Sequence, residues 1–397
     1  MATIAVIGTL DSKGHEHAFV ADCIREQGHT PLLVDVGTLG ASQVEADVKR
    51  EEVLAAAGMV LPTVEDRGER VGVMALALPV FLERAAKGGR IDGVISLGGG
   101  GGTAIATAGM RALPIGFPKL MVSTLASGNT AHYVGTKDIV MFPSIVDVAG
   151  LNQVSKTIFA RAAGAICGMV AAKTGDEGGK PIIVASMFGN TTECVDAARE
   201  SLEAEGYEVL VFHATGTGGR TMESLIESGM VKGVFDVTTT EWADELCGGT
   251  LSAGPTRLEA AGKMGIPTVV APGCLDMVNF GERGSVPAEF EGRNFYIHNP
   301  QVTLMRTNAE ESTKLGSVLA EKVNAYTGPV AVLLPLKAIS IISAEGQAFY
   351  DAEADAALFE AIRSGLREDV QLVEVDAAIN DAEFSTACVK ALLGLLK

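Results

Sequence analysis

Residues 4–40, IAVIGTLDSKGHEHAFVADCIREQGHTPLLVDVGTLG, and residues 182–218, IIVASMFGNTTECVDAARESLEAEGYEVLVFHATGTG, run through the same succession of elements. Each opens on an apolar strand and passes through a polar, Gly-containing turn into an amphipathic helix. Each then meets a glycine, a second apolar strand and a Gly-rich turn. Gly28 and Gly206 hold equivalent places and suit the position just past a helix, where a positive φ is needed. The echo continues: IDGVISL (91–97) precedes GGGGGT, and VKGVFDV (231–237) precedes TTTEWADE. FPKLMVSTLASGN (117–129) likewise resembles IPTVVAPGCLDMVN (266–279). The gaps between matched blocks differ, so the pattern is a divergent duplication and not a tandem short repeat.

Apolar strands that alternate with amphipathic helices form parallel sheets covered on both faces. The expected fold is therefore α/β, with two Rossmann-like doubly wound domains and a cleft between them. The stretch TGDEGGKP (174–181) follows a small-residue helix over 152–173 and marks the boundary, giving domains 1–178 and 179–397. The second half carries more: a helix near 309–326, a strand at 330–335, a helix near 352–366, a strand at 370–375 and a last helix near 381–396.

Lys and Arg number 31 against 49 Asp and Glu, a net charge of −18. Duplex affinity rests largely on cations that neutralise phosphates, so a general nucleic-acid coat is excluded as an expectation. No uninterrupted apolar run reaches ~18–20 residues, and the N-terminus opens into a strand without a basic leader, so neither membrane span nor signal peptide is expected. The six cysteines are scattered without a C-x-x-C pair, which fits small buried hydrophobes in a cytoplasmic protein. Glycine is about 12% of the chain against a usual ~7%, and where it concentrates is the main clue to function.

In open parallel sheets ligands sit beyond the carboxyl ends of the strands. After the first strand comes GTLDSKGHE (8–16). Gly8 would let a ligand approach the backbone, Thr9 and Ser12 offer hydroxyls, Asp11 a metal or ribose ligand, and Lys13 a charge for phosphate. The alternative is a capped helix start, with Asp11 or Ser12 as cap and Glu16 completing a capping box. His15 and His17, two residues apart, do not share a helix face and make a poor metal pair. The run Gly98, Gly99, Gly100, Gly101, Gly102, followed by Thr103, exceeds what a turn needs and points to backbone N–H groups around an anion at a helix start. It matches neither a P-loop nor a dinucleotide fingerprint. Ser123, Thr124, Gly128 and Asn129 add a polar rim after a further strand, and Asp138 and Asp147 add carboxylates, Asp147 with a helix-cap alternative. Together these suit a nucleotide polyphosphate with a divalent ion. Asp35, at the end of the second strand, lies where a ribose-binding acid would, which keeps an NAD(P)-dependent enzyme as a lesser alternative.

The second half offers Gly189, Asn190 and Thr191 after one strand, Pro272 and Gly273 at another, and Gly216, Gly218 and Gly219 before Arg220. An Arg fork beside a glycine nest clamps carboxylates or phosphates. Glu241, Asp244 and Glu245 cluster on one turn, as acid/base groups or as a solvated helix face. Asp276 and His298 are weaker base candidates, His213 ends a strand, and Trp242 stacks on a ligand or packs. No Ser-His-Asp spacing or G-x-S-x-G elbow is present.

GTLDSKGHE, SLGGGGGT, STLASGNT, DIVMFPSIVDVAGLN, ASMFGNTTECVD, FHATGTGGRTME, GPTRLEAA, PTVVAPGCLDMVNF and HNPQVTLMRTNAEE stand in that order along essentially the whole chain. As a set they resemble the uncharacterised protein family related to the plant tobamovirus-resistance inhibitor, with its resistance-inhibitor-like ATP-binding domain, in a stand-alone microbial form. The resemblance implies two Rossmann-like subdomains, ATP held by the N-terminal one, and homodimers. One departure is PLKAISIISAEG, with Ala338 and Ile342 where the family pattern has Gly and Asp. The resulting expectation is an ATP- and Mg²⁺-binding protein. It would carry out phosphoryl transfer or carboxylate activation on a small anionic metabolite, with Arg220, Glu241 and Asp244 in the reacting groups and Asp11 on the metal. A non-catalytic nucleotide-binding regulatory module is the alternative.

Overall fold

In the computed structural model, residues 1–63, 66–173 and 179–397 are described, and the chain divides into two compact units, Met1–Asp176 and Glu177–Lys397. Most of the expected linker, 174–181, lies outside the described residues.

The first unit has strands β1 (Thr3–Gly8), β2 (Thr30–Asp35), β3 (Gly93–Gly98), β4 (Lys119–Ser123) and β5 (Val140–Pro143). Its helices are α1 (Leu10–Glu26), α2 (Arg50–Ala56), α3 (Arg67–Lys87), α4 (Gly100–Arg111), α5 (Ala131–Val134) and α6 (Gln153–Ala171). The sheet is parallel throughout, in the order β2-β1-β3-β4-β5. Side chains alternate across a strand, so both faces must be apolar for the sheet to be covered twice. Ile4, Val6, Ile95 and Leu120 bury one face with Val20 and Ile24 of α1 and Phe159 and Ile166 of α6. Ala5, Ile7, Val94 and Met121 bury the other with Leu78 and Phe81 of α3 and Ile105 and Met110 of α4. α6 is long and apolar enough, by length and composition, to cross a membrane. Its Phe159, Ala162, Ala163 and Ile166 lie inside the unit, and Asn152 caps it through a capping box with Ser155.

The second unit has β6 (Ile182–Met187), β7 (Glu208–His213), β8 (Val231–Thr238), β9 (Thr268–Gly273), β10 (Met277–Phe280), β11 (Phe295–Asn299), β12 (Val302–Arg306), β13 (Val330–Pro335) and β14 (Gln371–Val375). Its helices are α7 (Thr192–Ala204), α8 (Thr217–Glu227), α9 (Glu241–Cys247), α10 (Ala260–Met264), α11 (Ala309–Asn324), α12 (Ala352–Gly365) and α13 (Ala382–Leu395). The main sheet runs β7-β6-β8-β9-β13-β14, again all parallel. The echoed blocks thus occupy the same sheet positions in both units. Gly28 and Gly206 have φ of 82° and 94° just beyond α1 and α7, as the C-terminal glycine argument requires. An antiparallel sheet, β10-β12-β11, was not expected from the sequence. Its three strands are only four or five residues long, and the turn at Pro300–Gln301 reads equally well as loop.

Candidate functional site

In the order β2-β1-β3-β4-β5 the chain leaves β1 toward one side for β2 and toward the other for β3. A crevice therefore opens beyond the carboxyl ends of β1 and β3. A cavity of about 160 Å³ lies there, walled by the turns after β1, β2 and β3. Thr9, Asp11, Ser12 and Lys13 come from the first turn, Thr38 and Leu39 from the second, and Gly99 to Gly102 from the third. Val71 of α3 and Ile105 of α4 give it an apolar base, and Arg67 of α3 adds a guanidinium. Sequence reasoning missed Arg67, because nothing local shows that the start of a distant crossover helix returns to this edge. Arg67 is exposed and has no ion-pair or hydrogen-bond partner among the described residues.

The glycine run is the part of this wall that packing leaves unexplained. α4 begins at Gly100 with Gly99 as its cap, and the first backbone bond of the helix is from Thr103 N to Gly99 O at 2.9 Å. The N–H groups ahead of Thr103 therefore have no partner within the helix. At Gly98 a side chain would be tightly placed, since a Cβ there would come 3.0 Å from Gly102 Cα. No such reason applies to the others. A Cβ on Gly100 would meet nothing within 4 Å, and one on Gly99, Gly101 or Gly102 would approach its nearest neighbour only to 3.7, 3.8 and 3.6 Å. Each glycine in a helix is less stable than alanine by up to ~1 kcal/mol.

Several residues expected at the site serve the framework instead. Gly8 is a glycine because the ring of buried His17 fills the place of its side chain, only 2.4 Å from where a Cβ would be. His17 Nδ1 lies 2.7 Å from Lys13 O, and burial lowers the pKa of the ring. Asp35 is buried: Oδ1 accepts from Leu10 N and Gly37 N, and Oδ2 pairs with Arg50 at 2.7 Å. It is a strut under the β1 and β2 turns and does not line the cavity. Thr103 Oγ1 and Ser123 Oγ, both buried, bond each other at 2.7 Å and tie α4 to β4. The capping box offered as the alternative reading of this turn does not form on α1. Thr9 occupies the cap position, Asp11 Oδ2 accepts from Leu39 N (2.8 Å) and Gly40 N (3.3 Å), and Glu16 accepts from Gly150 N. Lys13 keeps its place on the cavity wall while its Nζ bonds to Val148 O. Thr124 stands 3.7 Å from the Cβ position of Gly99. Gly128, Asn129 and Asp147 lie on exposed turns outside the cavity lining, and Asn152, not Asp147, caps α6. Asp138 pairs with Lys119 at 2.7 Å.

In the second unit the glycine nest after β7 is already filled. Gly216 N and Gly219 N donate to Glu241 Oε1 at 2.6 and 3.1 Å. A Cβ on Gly219 would lie 2.1 Å from Glu241 Oε2, one on Gly218 would strike His213 O at 1.8 Å, and Gly216 has a φ of 78°. All three glycines are therefore explained by packing. Glu241 Oε2 accepts from Arg257 Nε at 2.7 Å, and the same guanidinium takes both oxygens of Asp236 at 2.5 and 2.6 Å and reaches Glu223 at 3.2 Å. Burial opposes the charge on Arg257, but Asp236, Glu241 and Glu223 more than offset it and raise its pKa. Arg257 was missed, although Asp236 inside the apolar run VKGVFDV is a visible sign that a buried cation must answer it.

Asp244 is wholly buried, accepts from Leu251 N, Asn279 N and Asn279 Nδ2, and has its pKa pushed up to about 7 by burial. Arg220 is exposed and donates to Ser252 O and Thr217 Oγ1. Glu241 and Asp244 are thus structural carboxylates, which corrects their expected reacting role. Thr191 bonds Thr238 inside the unit at 2.8 Å, the backbone carbonyl of Asn190 accepts from Asn380, and Gly273 has no room for a Cβ beside Val237 O. Pro272 is buried in β9, whereas Gly189 is exposed with open space around it. Trp242 packs inside, with Lys322 Nζ 5.2 Å from its ring centre. Among the described residues no group of three or more His, Cys, Asp and Glu is placed to hold a metal ion.

The chain belongs to the family described as Uncharacterised protein family (UPF0261): residues 2–175 match its N-terminal domain and residues 180–396 its C-terminal domain. A UPF0261 protein of Clostridium tetani (strain Massachusetts / E88) is 50% identical over 399 residues, covering 99% of both chains. The ToMV resistance protein Tm-1(GCR237) of Solanum lycopersicum is 39% identical over 413 residues, covering 98% of this chain and 55% of that longer protein. Among solved structures, the UDP-GlcNAc 2-epimerase of Neisseria meningitidis bound to UDP-GlcNAc aligns at 10% identity with a TM-score of 0.24, covering 68% of this chain and 82% of that one.

Proposed function

We propose that the chain binds the phosphate end of a nucleotide, ATP with Mg²⁺, at the start of α4. The observation that carries this reading is the set of glycines 99 to 102, which neither packing nor a positive φ requires. Their N–H groups stand at the positive end of a twelve-residue helix, where backbone donors and the helix dipole favour an anion. Arg67 and Lys13 bring cationic charge to the same wall, and Asp11 brings a carboxylate whose Oδ1 has no hydrogen bond among the described residues. That oxygen is the group that would meet a nucleotide-borne Mg²⁺. The cavity, at about 160 Å³, is smaller than the ~300 Å³ of a whole-ligand pocket and suits the phosphates, with the nucleoside lying outside it.

Phosphoryl transfer or carboxylate activation of a small anionic metabolite is the reaction class that this ligand fits. The commitment of Glu241 and Asp244 to backbone and Arg257 favours a second reading, a nucleotide-binding regulatory module without turnover. Melting the chain with ATP, ADP, NAD and NADP, each with and without Mg²⁺, tests the site, because a ligand bound only by the native state raises its stability. The reading expects a shift with Mg-ATP that disappears in Gly100→Val. A shift with NAD or NADP alone, or an unchanged Mg-ATP shift in the variant, would reject it. Release of phosphate on addition of a carboxylate substrate then separates enzyme from module.

A further inference from the structure

The cavity of about 160 Å³ in the first unit holds phosphates and not a whole nucleotide, so a bound nucleoside lies across its rim. The side chains of that rim decide which nucleosides fit. Resting on the phosphate reading above, we propose that the site takes nucleoside triphosphates without regard to base or sugar, with one face of the base laid on Leu39.

Among the described residues of the lining, Ser12, Leu39, Arg67 and Gly100 are exposed and make up the rim. Arg67 carries charge for phosphate, and Gly100 belongs to the first turn of α4. Ser12 turns its hydroxyl to Thr9. Leu39 is the apolar member, and it is 56% exposed. Its turn is pinned from both sides. Leu39 N and Gly40 N donate to Asp11 Oδ2, Gly37 N donates to Asp35 Oδ1 at 2.8 Å, and Thr38 O accepts from Arg70 Nη1 at 3.0 Å. A flat ring laid over a fixed apolar side chain removes both surfaces from water and costs little ordering of the protein.

A leucine contacts the face of a ring and does not read the donors and acceptors on its edge. Strong discrimination between bases needs protein groups that are left unpaired by the wrong one. The β2 turn has committed its own: carboxylates hold the N–H groups of Gly37, Leu39 and Gly40, and Arg70 holds the carbonyl of Thr38. The sugar meets the same situation. An acid at the end of the second strand is what grips ribose hydroxyls in dinucleotide sites. Here Asp35 has Oδ1 on Leu10 N and Gly37 N, and Oδ2 on Arg50. What the rim offers a nucleoside is therefore one apolar surface.

The test titrates the full chain, with Mg²⁺, by calorimetry. The probes are ATP, dATP, GTP, CTP, UTP and methyl triphosphate, which has the charge of a nucleotide and no nucleoside. The five nucleotides are expected to bind within about threefold of one another, and each roughly fivefold tighter than methyl triphosphate, a difference of about 1 kcal/mol. Leu39→Ser, at an exposed position, should remove that difference and leave methyl triphosphate binding unchanged. Leu39→Phe, with a broader face, should enlarge it. A preference of more than about tenfold (about 1.4 kcal/mol) for one base, or for ATP over dATP, would overturn the proposal. So would a nucleotide advantage that survives Leu39→Ser in folded protein, or nucleotides that bind no tighter than methyl triphosphate. In each of those cases the phosphate site itself stands, because methyl triphosphate still binds. Binding of none of the six would remove the phosphate reading and this inference with it.

Discussion

Filling the glycine run of α4 should make the protein more stable and less able to bind phosphate. Gly100 lies in the first turn of α4, and a Cβ there meets no atom within 4 Å, so Gly100→Ala adds no clash. The gain comes from the helix and from a less free unfolded chain, about 0.5–1 kcal/mol. In a unit of this size that raises the melting temperature by roughly 1–4 °C. Extending the change to Gly101 and Gly102, where a Cβ would find neighbours at 3.8 and 3.6 Å, should bring the total to about 1.5–3 kcal/mol. The same methyl groups stand over the N–H groups that a phosphate would use. If Mg-ATP at 100 times its Kd stabilises the native chain by about 2.7 kcal/mol, a tenfold loss of affinity reduces that to about 1.4 kcal/mol at the same concentration. Urea denaturation followed by circular dichroism, with and without Mg-ATP, measures both quantities on one sample. A destabilised triple variant would show that the fold needs these glycines. A stabilised variant with undiminished Mg-ATP binding would show that the run has no part in holding phosphate. Either result refutes the reasoning.

Three further substitutions probe the remaining assignments. Arg67→Ala, at an exposed group with no partner among the described residues, should alter ligand-free stability by less than about 0.5 kcal/mol and weaken Mg-ATP roughly tenfold, as titrations at two salt concentrations would show. Arg257→Met leaves Asp236 and Glu241 buried without their cation and should lower the neutral-pH urea stability by about 3–5 kcal/mol. Asp244 has a folded pKa of about 7, raised from 3.8 by burial, so its contribution to stability is fully present below about pH 4 and is lost as pH rises through 7. Asp244→Asn, assisted by a flip of the Asn279 amide whose Oδ1 has no partner, should therefore lose less stability than the parent between pH 5.5 and 8 in urea titrations.

The sheet architecture was legible because it depends on patterns that are local. Each strand in the echoed blocks is a continuous apolar run, and Gly28 and Gly206 end their helices, all within a few residues of sequence. The roles of the glycines were less legible, because a glycine that admits a ligand and one that admits a neighbouring side chain look alike. Gly8 gives way to His17 nine residues on, and Gly219 to Glu241 twenty-two residues on. The acidic turn of α9 misled for a related reason. Its charge density suggested chemistry, but the guanidinium that explains it comes from Arg257 in a loop whose return could not be read from spacing. Arg67 was overlooked in the same way, since its place is set by how α3 crosses the sheet.

The duplication turns these differences into an internal control. β3 and β8 hold the same position in their sheets, and the residues after them align so that Gly101 of α4 stands where Glu241 begins α9. In the second unit that carboxylate satisfies the neighbouring Gly216 and Gly219 N–H groups and stands at a helix start, where negative charge is favoured. The unit thus supplies its own anion. The first unit has bare glycines in that place, with Arg67 close by, 3.8 Å from the Cβ position of Gly101. Gly101→Glu would give the first unit the acidic start of the second. It should stabilise the ligand-free chain by about 0.5–1.5 kcal/mol, through helix propensity and the dipole, and abolish Mg-ATP binding by occupying the phosphate position with a carboxylate. Loss of stability in urea, or Mg-ATP binding equal to the parent's, would mean that the two helix starts are not equivalent and that the glycines of α4 answer to something other than an anion.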